Sequence, residues 1–229
     1  MKPAPQNTSG FVLLNALILV AVMSAVAVML LSRAETSRIR LEEDQAGRIL
    51  TQNLDAFEAW AKILLNADQD RGPIDHLTEA WARPSNTFDL DVGAVTGQLR
   101  DQQALFNVNW FADPEFDHAR EAFKELLQDN GLSTGIVDLI VSFVSAEGPP
   151  IAGPILMVDQ LRLIPELSEQ EARTLAPLIT ALPVGTRLNL NTASPQILAA
   201  MIPQMRSADI TAAVVERAQT PFQSVQAFA

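Results

Sequence analysis

Between Phe11 and Leu31 the chain runs for 21 residues without a charge, FVLLNALILVAVMSAVAVMLL. Only Asn15 and Ser24 interrupt its apolar character. As a helix the run is about 31 Å long at ~1.5 Å per residue, which matches the hydrocarbon thickness of a bilayer. A short polar leader, MKPAPQNTSG, precedes it. A charged helical pattern, SRAETSRIRLEEDQAGRILTQNLDAFEAWAKILL, follows with neither Gly nor Pro at the junction. Any fold for this chain must therefore accommodate an apolar rod joined to an amphipathic one.

Three other readings compete with a leader, a span and a continuing helix. A buried core helix of this length usually shows one polar face, and this run shows none. A cleaved secretory signal is suggested by Ala25-Val26-Ala27, but the apolar run continues through Leu31, where a mature N-terminus turns polar. An ordinary single-pass anchor is the closest competitor. Charge counting leans away from an external body, with Lys2 on one side of the span and Arg33, Arg38 and Arg40 on the other. The leader outweighs that count and points to a prepilin plan.

The 229 residues leave enough chain after the span for one ordinary domain or two small ones. A formal net charge of −11 opposes binding to a phosphate backbone. With no cysteine, the chain has no disulfide, no thiolate metal site and no cysteine nucleophile.

The helix leaving the span is expected to reach about Leu65. Ile39, Ala46, Ile49, Leu50, Leu54, Phe57, Trp60, Ala61, Leu64 and Leu65 recur mostly at steps of three or four. Asp68, Asp70, Gly72 and Pro73 end it. Residues 74–111 read as irregular structure with short strands at Thr87–Leu90, Val92–Thr96 and Leu105–Trp110. From Asp113 the pattern turns helical, with Pro114 at a first helical position and Phe116, Ala119, Phe123, Leu126 and Leu127 on one face. Asn130-Gly131 closes that helix and Ser133 caps the next. Gly148-Pro149-Pro150 through Gly153-Pro154 is a loop. Short helices are expected around Val158–Leu163, Ser168–Ile179, Ser194–Ala200 and Ser207–Arg217, with a capping box at Ser168 and Glu171 and a cap-plus-proline start at Ser194-Pro195.

The second half contains a weak repeat. Leu163-Ile164-Pro165-Glu166-Leu167-Ser168 matches Met201-Ile202-Pro203-Gln204-Met205-Arg206 with the following Ser207. Each reads as a helix end, an Ile-Pro turn, an apolar anchor and a serine-capped helix. A second echo pairs Phe106-Asn107-Val108-Asn109 with Leu188-Asn189-Leu190-Asn191.

No catalytic constellation is visible. The two histidines, His76 and His118, stand in unrelated contexts, and the sequence has no zinc-protease, nucleophile-elbow or P-loop pattern. Glu42-Glu43-Asp44 reads as a solvated helix face. Asp68 and Asp70 alternate as calcium ligands do but lack the rest of such a loop. The hairpin entered through Leu188–Pro195 resembles a helix-hairpin-helix element, yet its turns hold no glycine and no flanking lysine, so a structural hairpin is expected. No catalytic residue, cofactor or metal is assigned.

These pieces together resemble the type II secretion minor pseudopilin K family, the subunit at the tip of the pseudopilus. The resemblance rests on the leader ending at Gly10, the segment from Phe11, the D-x-L-x-E-x-W-A pattern of Asp75–Ala82, Phe106–Trp110, the Val158–Leu167 hairpin and Leu188–Met201. The most specific stretch is Leu188-Asn189-Leu190-Asn191-Thr192-Ala193-Ser194-Pro195. The resemblance implies cleavage between Gly10 and Phe11 by the prepilin peptidase and methylation of the new Phe11 amine. It also implies helix-bundle packing through Phe11, Leu14, Asn15, Ile18 and Val22. Most pilins carry glutamate at the position held here by Asn15. A buried carboxylate is costly without a partner, and a subunit with nothing above it offers none, so a neutral side chain avoids that cost.

The implied fold is α+β: a pilin-like long N-terminal helix packed on a small antiparallel sheet, with an inserted mainly helical domain. The expected division is leader 1–10, span 11–31, helix continuation 32–66, pilin-like part 67–112, helical insert 113–182 and a second hairpin region with return to the body 183–229. The implied role is non-enzymatic capping and initiation of the periplasmic pseudopilus. Implied partners are the other minor pseudopilins (I, J and H subunits), the prepilin peptidase and the inner-membrane secretion platform. The implied location is the inner membrane of a Gram-negative bacterium, single-pass, with a periplasmic body. A calcium site held by some relatives after the second insert helix is not carried over, because Val141–Glu147 lacks its aspartates. The end at Ala229 comes sooner than the resemblance implies, and a final strand would then be missing or supplied by a partner through edge pairing. A membrane-anchored periplasmic binding module and a type IV pilus minor pilin are the alternative readings.

Overall fold

The computed structural model describes residues 9–70, 72–90, 93–113, 116, 118–145 and 153–228. The leader up to Thr8, Val92, Pro114, the loop at Gly148-Pro149-Pro150 and Ala229 lie outside the described residues. The chain divides into two compact units, one formed by the chain up to Ala59 with Thr87–Val95, the other by Trp60–Asn86 with Thr96–Ala229.

Helix α1 spans Ser9–Gln69. It outlasts the expected end at Leu65 by about one turn, because no helix breaker occurs before Gly72 and Pro73. In the first unit Phe57 on α1 meets Phe88 edge-on, with centroids 6.0 Å apart. Strands β1 (Asn86–Asp89) and β2 (Ala94–Gly97) form a two-stranded antiparallel sheet. Gly93 supports their connection with φ of +87°, a value that costs a side-chain-bearing residue.

The second unit has its core among helices. Helix α2 (Ala119–Asp129) buries Ala119, Ala122, Phe123, Leu126 and Leu127, the face expected from their three- and four-residue spacing. Gly131 ends it with φ of +66°, and the N–H groups of Gly131 and Leu132 donate to the carbonyls of Gln128 and Leu127. Helix α3 (Ile136–Val144) packs on α2 and on a 3-10 turn at Val108–Ala112. Its N-cap is Gly135, and Ser133 instead accepts from the Gly135 N–H just before the helix starts.

Phe106–Asn107 forms strand β3, which pairs in parallel with β4 (Ile179–Thr180). The strand expected over Leu105–Trp110 thus stops after two residues and becomes a 3-10 turn. Alternation of apolar and polar residues normally marks a half-buried strand. Here residues 106–110 are all buried, and the Asn107 side chain accepts from the Asn109 N–H, which bends the backbone out of the strand.

Val158–Leu163 is a 3-10 turn, and α4 (Glu169–Leu175) starts at the expected capping box. Ser168 Oγ accepts from the Glu171 N–H, while Glu171 Oε2 accepts from the Ser168 N–H at 2.8 Å. Helix α5 (Pro195–Met201) is capped by Ser194 with Pro195 in its first turn. Helix α6 (Ser207–Gln219) has Arg206 at its N-cap, so Ser207 is a helical residue and not the cap expected from the repeat. Arg206 binds Asp209 with two hydrogen bonds instead. A last turn, α7, covers Val225–Phe228. Helix α5 packs on both α2 and α6, which joins the hairpin after residue 183 to the core around Phe106 and Phe123.

Candidate functional site: the apolar helix and the paired asparagine clamps

Residues Phe11, Leu14, Asn15, Ile18 and Val22 lie on α1 at spacings of three, four, seven and eleven, and therefore share one stripe. No other part of the described chain covers them. Phe11 is 66% exposed, Leu14 55%, Ile18 53% and Val22 57%. Apolar surface of this extent is unfavourable in water and requires a bilayer or neighbouring helices. Gly10 lies in the first turn of α1. Beyond the apolar run, Arg38 is bound to Glu35 at 2.7 Å and to Glu42 at 2.6 Å, a solvated ladder along the helix.

The second unit is organised by two Asn-x-Asn sequences that do the same work. In each, the first asparagine accepts the N–H two residues on: Asn109 N donates to Asn107 Oδ1 at 3.1 Å, and Asn191 N to Asn189 Oδ1 at 3.0 Å. In each, the second asparagine grips both backbone groups of one distant residue. Asn109 Oδ1 accepts from Ile155 N at 2.9 Å while its Nδ2 donates to Ile155 O at 2.8 Å. Asn191 Oδ1 accepts from Phe222 N at 2.9 Å while its Nδ2 donates to Phe222 O at 3.0 Å. A primary amide offers one donor edge and one acceptor edge, and so mimics one rung of a β-ladder. Asn109 and Asn191 are 1% and 5% exposed, so these bonds also satisfy groups that water does not reach.

The first asparagines reach outward as well. Asn107 donates to Pro183 O and accepts from Leu182 N. Asn189 donates to Asp75 O and to Asp101 Oδ2. Buried Arg217, on α6, donates to the carbonyls of Leu190 and Ala193 and holds the 188–194 loop from its other side. Burial lowers the Arg217 pKa, because the charged guanidinium has lost water. The echo between the two Asn-x-Asn stretches is the sequence signal for this arrangement. Nothing in the sequence points to Arg217 or Asp101.

Asp68, Asp75 and Glu79 bring carboxylate oxygens within 4.8 Å of one another, a grouping that leaves out the expected Asp70. Glu79 is held by two donors, the indole N–H of Trp81 and the backbone N–H of His76, both at 2.8 Å. Its other oxygen lies 3.5 Å from His76 Nε2. Partial burial raises the Asp75 pKa, and the nearby charges of Glu79, Asp101 and Asp68 raise it further. The D-x-L-x-E-x-W-A stretch is therefore a tightly bonded turn in which buried Trp81 fixes the acid two residues before it. His118 lies against the Phe116 ring at 4.4 Å, far in sequence from any of these groups. The arrangement suits holding a shape, with its polar side chains spent on backbone groups.

The profile of the family described as "Type II secretion system (T2SS), protein K" matches residues 188–229, the stretch that carries the second clamp and α5–α7. The chain is 30% identical to a type II secretion system protein K of Pseudomonas aeruginosa, covering 86% of this chain and 68% of that one. It is 26% identical to the protein K of Aeromonas hydrophila, covering 87% and 72%. A solved GspK-GspI-GspJ complex from the enterotoxigenic Escherichia coli type 2 secretion system contains a chain of similar fold. The TM-score is 0.65 and the identity 22%, over 82% of this chain and 76% of that one.

Proposed function

Because this chain belongs to the type II secretion system protein K family, a family of minor pseudopilins, we propose that it caps and initiates the periplasmic pseudopilus that drives protein export across the outer membrane. The observation that carries this reading is α1, continuous from Ser9 to Gln69 with its apolar turns uncovered. A helix of that form can wait in a bilayer and later exchange lipid for the helices of neighbouring subunits with little change in apolar burial. The body attached to it spends its buried amides on its own backbone, in keeping with a non-enzymatic role.

On this reading the leader 1–10 is removed between Gly10 and Phe11 by the prepilin peptidase, and the Phe11 amine is methylated. Phe11, Leu14, Asn15, Ile18 and Val22 then form the bundle-facing stripe. The span 11–31 anchors the protein in the inner membrane, with the body in the periplasm. The pilin-like part is 67–112, the helical insert 113–182, and 183–229 returns to the body. The other minor pseudopilins I, J and H are the expected partners, supported for two of them by the similar complex, in which GspK is assembled with GspI and GspJ. The secretion platform is the expected assembly site.

Intact mass and N-terminal sequencing of the protein recovered from membranes test the reading. A start at methylated Phe11 is expected. A start at Met1 or near Val28 overturns it. Replacement of Gly10 by a bulky residue should block processing and secretion together.

A further inference from the structure

A cleft of about 470 Å3 lies wholly within the second unit, between the Trp81 turn, the 98–101 segment and the start of α5. Its volume is within the about 300–1,000 Å3 range of ligand sites. Leu77, Leu99, Leu105 and Leu178 give it an apolar wall in front of buried Trp81 and Ile197, and Arg83 and Arg100 stand on its rim. We propose that this cleft receives an extended acidic peptide segment of a partner polypeptide, with the partner's carboxylates on Arg83 and Arg100 and its apolar side chains on the wall.

The charges favour this occupant. The chain carries 27 acidic and 16 basic residues, so guanidinium groups have acids to choose from. Arg120, Arg162, Arg173 and Arg206 in the second unit each pair with at least one, while Arg187, outside the cleft, pairs with none among the described residues. Arg83 and Arg100 pair with none among the described residues, although each has a carboxylate close in sequence. Those two carboxylates are committed elsewhere. Glu79 accepts from the Trp81 indole and the His76 backbone. Asp101 accepts from Gln103 N on one oxygen, and from Asn189 Nδ2 and Thr192 Oγ1 on the other. The cleft's two cations are therefore left to an outside acid, which the guanidinium fork binds through paired hydrogen bonds. A polyanion such as nucleic acid is disfavoured by the net charge of −11. A short acidic peptide gains from the apolar wall at close range, where that long-range repulsion is outweighed.

The test uses the full chain in detergent micelles and fluorescence polarisation of two labelled, acetylated pentapeptides, ELDLE and KLKLK. Saturable binding of ELDLE with clear preference over KLKLK is expected. The double variant Arg83→Gln/Arg100→Gln should weaken it about tenfold, as two exposed ion pairs allow. Arg83→Lys/Arg100→Lys should recover part of the loss, and Arg173→Gln, away from the cleft, should change nothing. Equal binding of the two peptides, no saturable binding of ELDLE, or an unchanged affinity in the Gln double variant overturns the proposal. Unchanged thermal unfolding of the Gln variant confirms that a loss comes from the cleft.

Discussion

The side chain of Asn109 holds Ile155 by both backbone groups, accepting from its N–H at 2.9 Å and donating to its carbonyl at 2.8 Å. A third bond runs from the same amide to Leu182 O at 2.8 Å. Replacing Asn109 with Leu keeps the volume close and strands two buried backbone groups of Ile155 and the part-buried carbonyl of Leu182. Each such group costs about 1–3 kcal/mol, with incomplete additivity. The expected loss is about 3 kcal/mol, read as a lowered urea midpoint of the full chain in micelles by tryptophan fluorescence. Asn109→Asp should be worse at neutral pH, because it loses both donated bonds and buries a charge. A loss below about 1 kcal/mol for either variant would show that the clamp is dispensable.

The Asp75 carboxyl is shifted in the direction opposite to those of Glu171 and Asp209. Its pKa in the folded chain is raised, chiefly by partial burial and then by Glu79, Asp101 and Asp68. The unfolded state therefore releases this proton first as pH rises. The carboxylate's penalty grows through the range between the two pKa values and is complete above the folded one. Asp75→Asn should raise the thermal midpoint at pH 7, in buffer containing a chelator, and the gain should vanish below about pH 4. The bond to Asp75 O from Asn189 is to the backbone and survives the change. A gain that persists at low pH would assign the effect to something other than charge.

The capping box of α4 makes the opposite prediction for acid. Hydrogen bonds from the Ser168 hydroxyl and then from its backbone lower the Glu171 pKa. Stability from this pair is thus present above the unfolded carboxylate pKa and is lost as pH falls through the folded one. Ser168→Ala should cost about 1 kcal/mol at neutral pH. The difference between wild type and Glu171→Gln should shrink on acidification, measured by the same unfolding assay across pH.

Val22 stands in the middle third of the apolar run and is 57% exposed. Val22→Asp should lower the fraction of protein recovered with membranes, since an acid at the centre of a span costs about 3 kcal/mol on insertion scales. Val22→Leu should have no effect. Sedimentation of membranes followed by immunoblotting reads both, and equal recovery of the two variants would contradict burial of this position in lipid.

Features set by neighbours in sequence are legible in the sequence itself. The unbroken helix from the apolar run, the Ser168–Glu171 box, the Ser194-Pro195 start and the left-handed Gly131 all follow from local stereochemistry. What the sequence hides depends on residues far apart. Leu105–Trp110 looks like a strand until Asn107 is seen to turn its own backbone, and its short strand finds Ile179–Thr180 in parallel, some 70 residues away. Ser207 looks like a cap, but Arg206 with Asp209 takes the helix start. Spacing pairs Asp68 with Asp70, whereas the folded chain groups it with Asp75 and Glu79. The two Asn-x-Asn stretches are visible as an echo, while their partners Ile155 and Phe222 carry no mark in the sequence.

The asparagine grips also set an order of events during synthesis. Asn109 must wait for residues 46 and 73 positions downstream, and Asn191 for one 31 positions downstream. Closing loops of that length is entropically costly before any contact rewards it. While the chain emerges from N- to C-terminus, α1 needs nothing downstream, but the Asn109 grip cannot close until Ile155 has arrived, nor the Asn191 grip until Phe222 has. The second unit therefore locks late, once its C-terminal stretch has been made, whereas the long N-terminal helix waits for nothing that follows it.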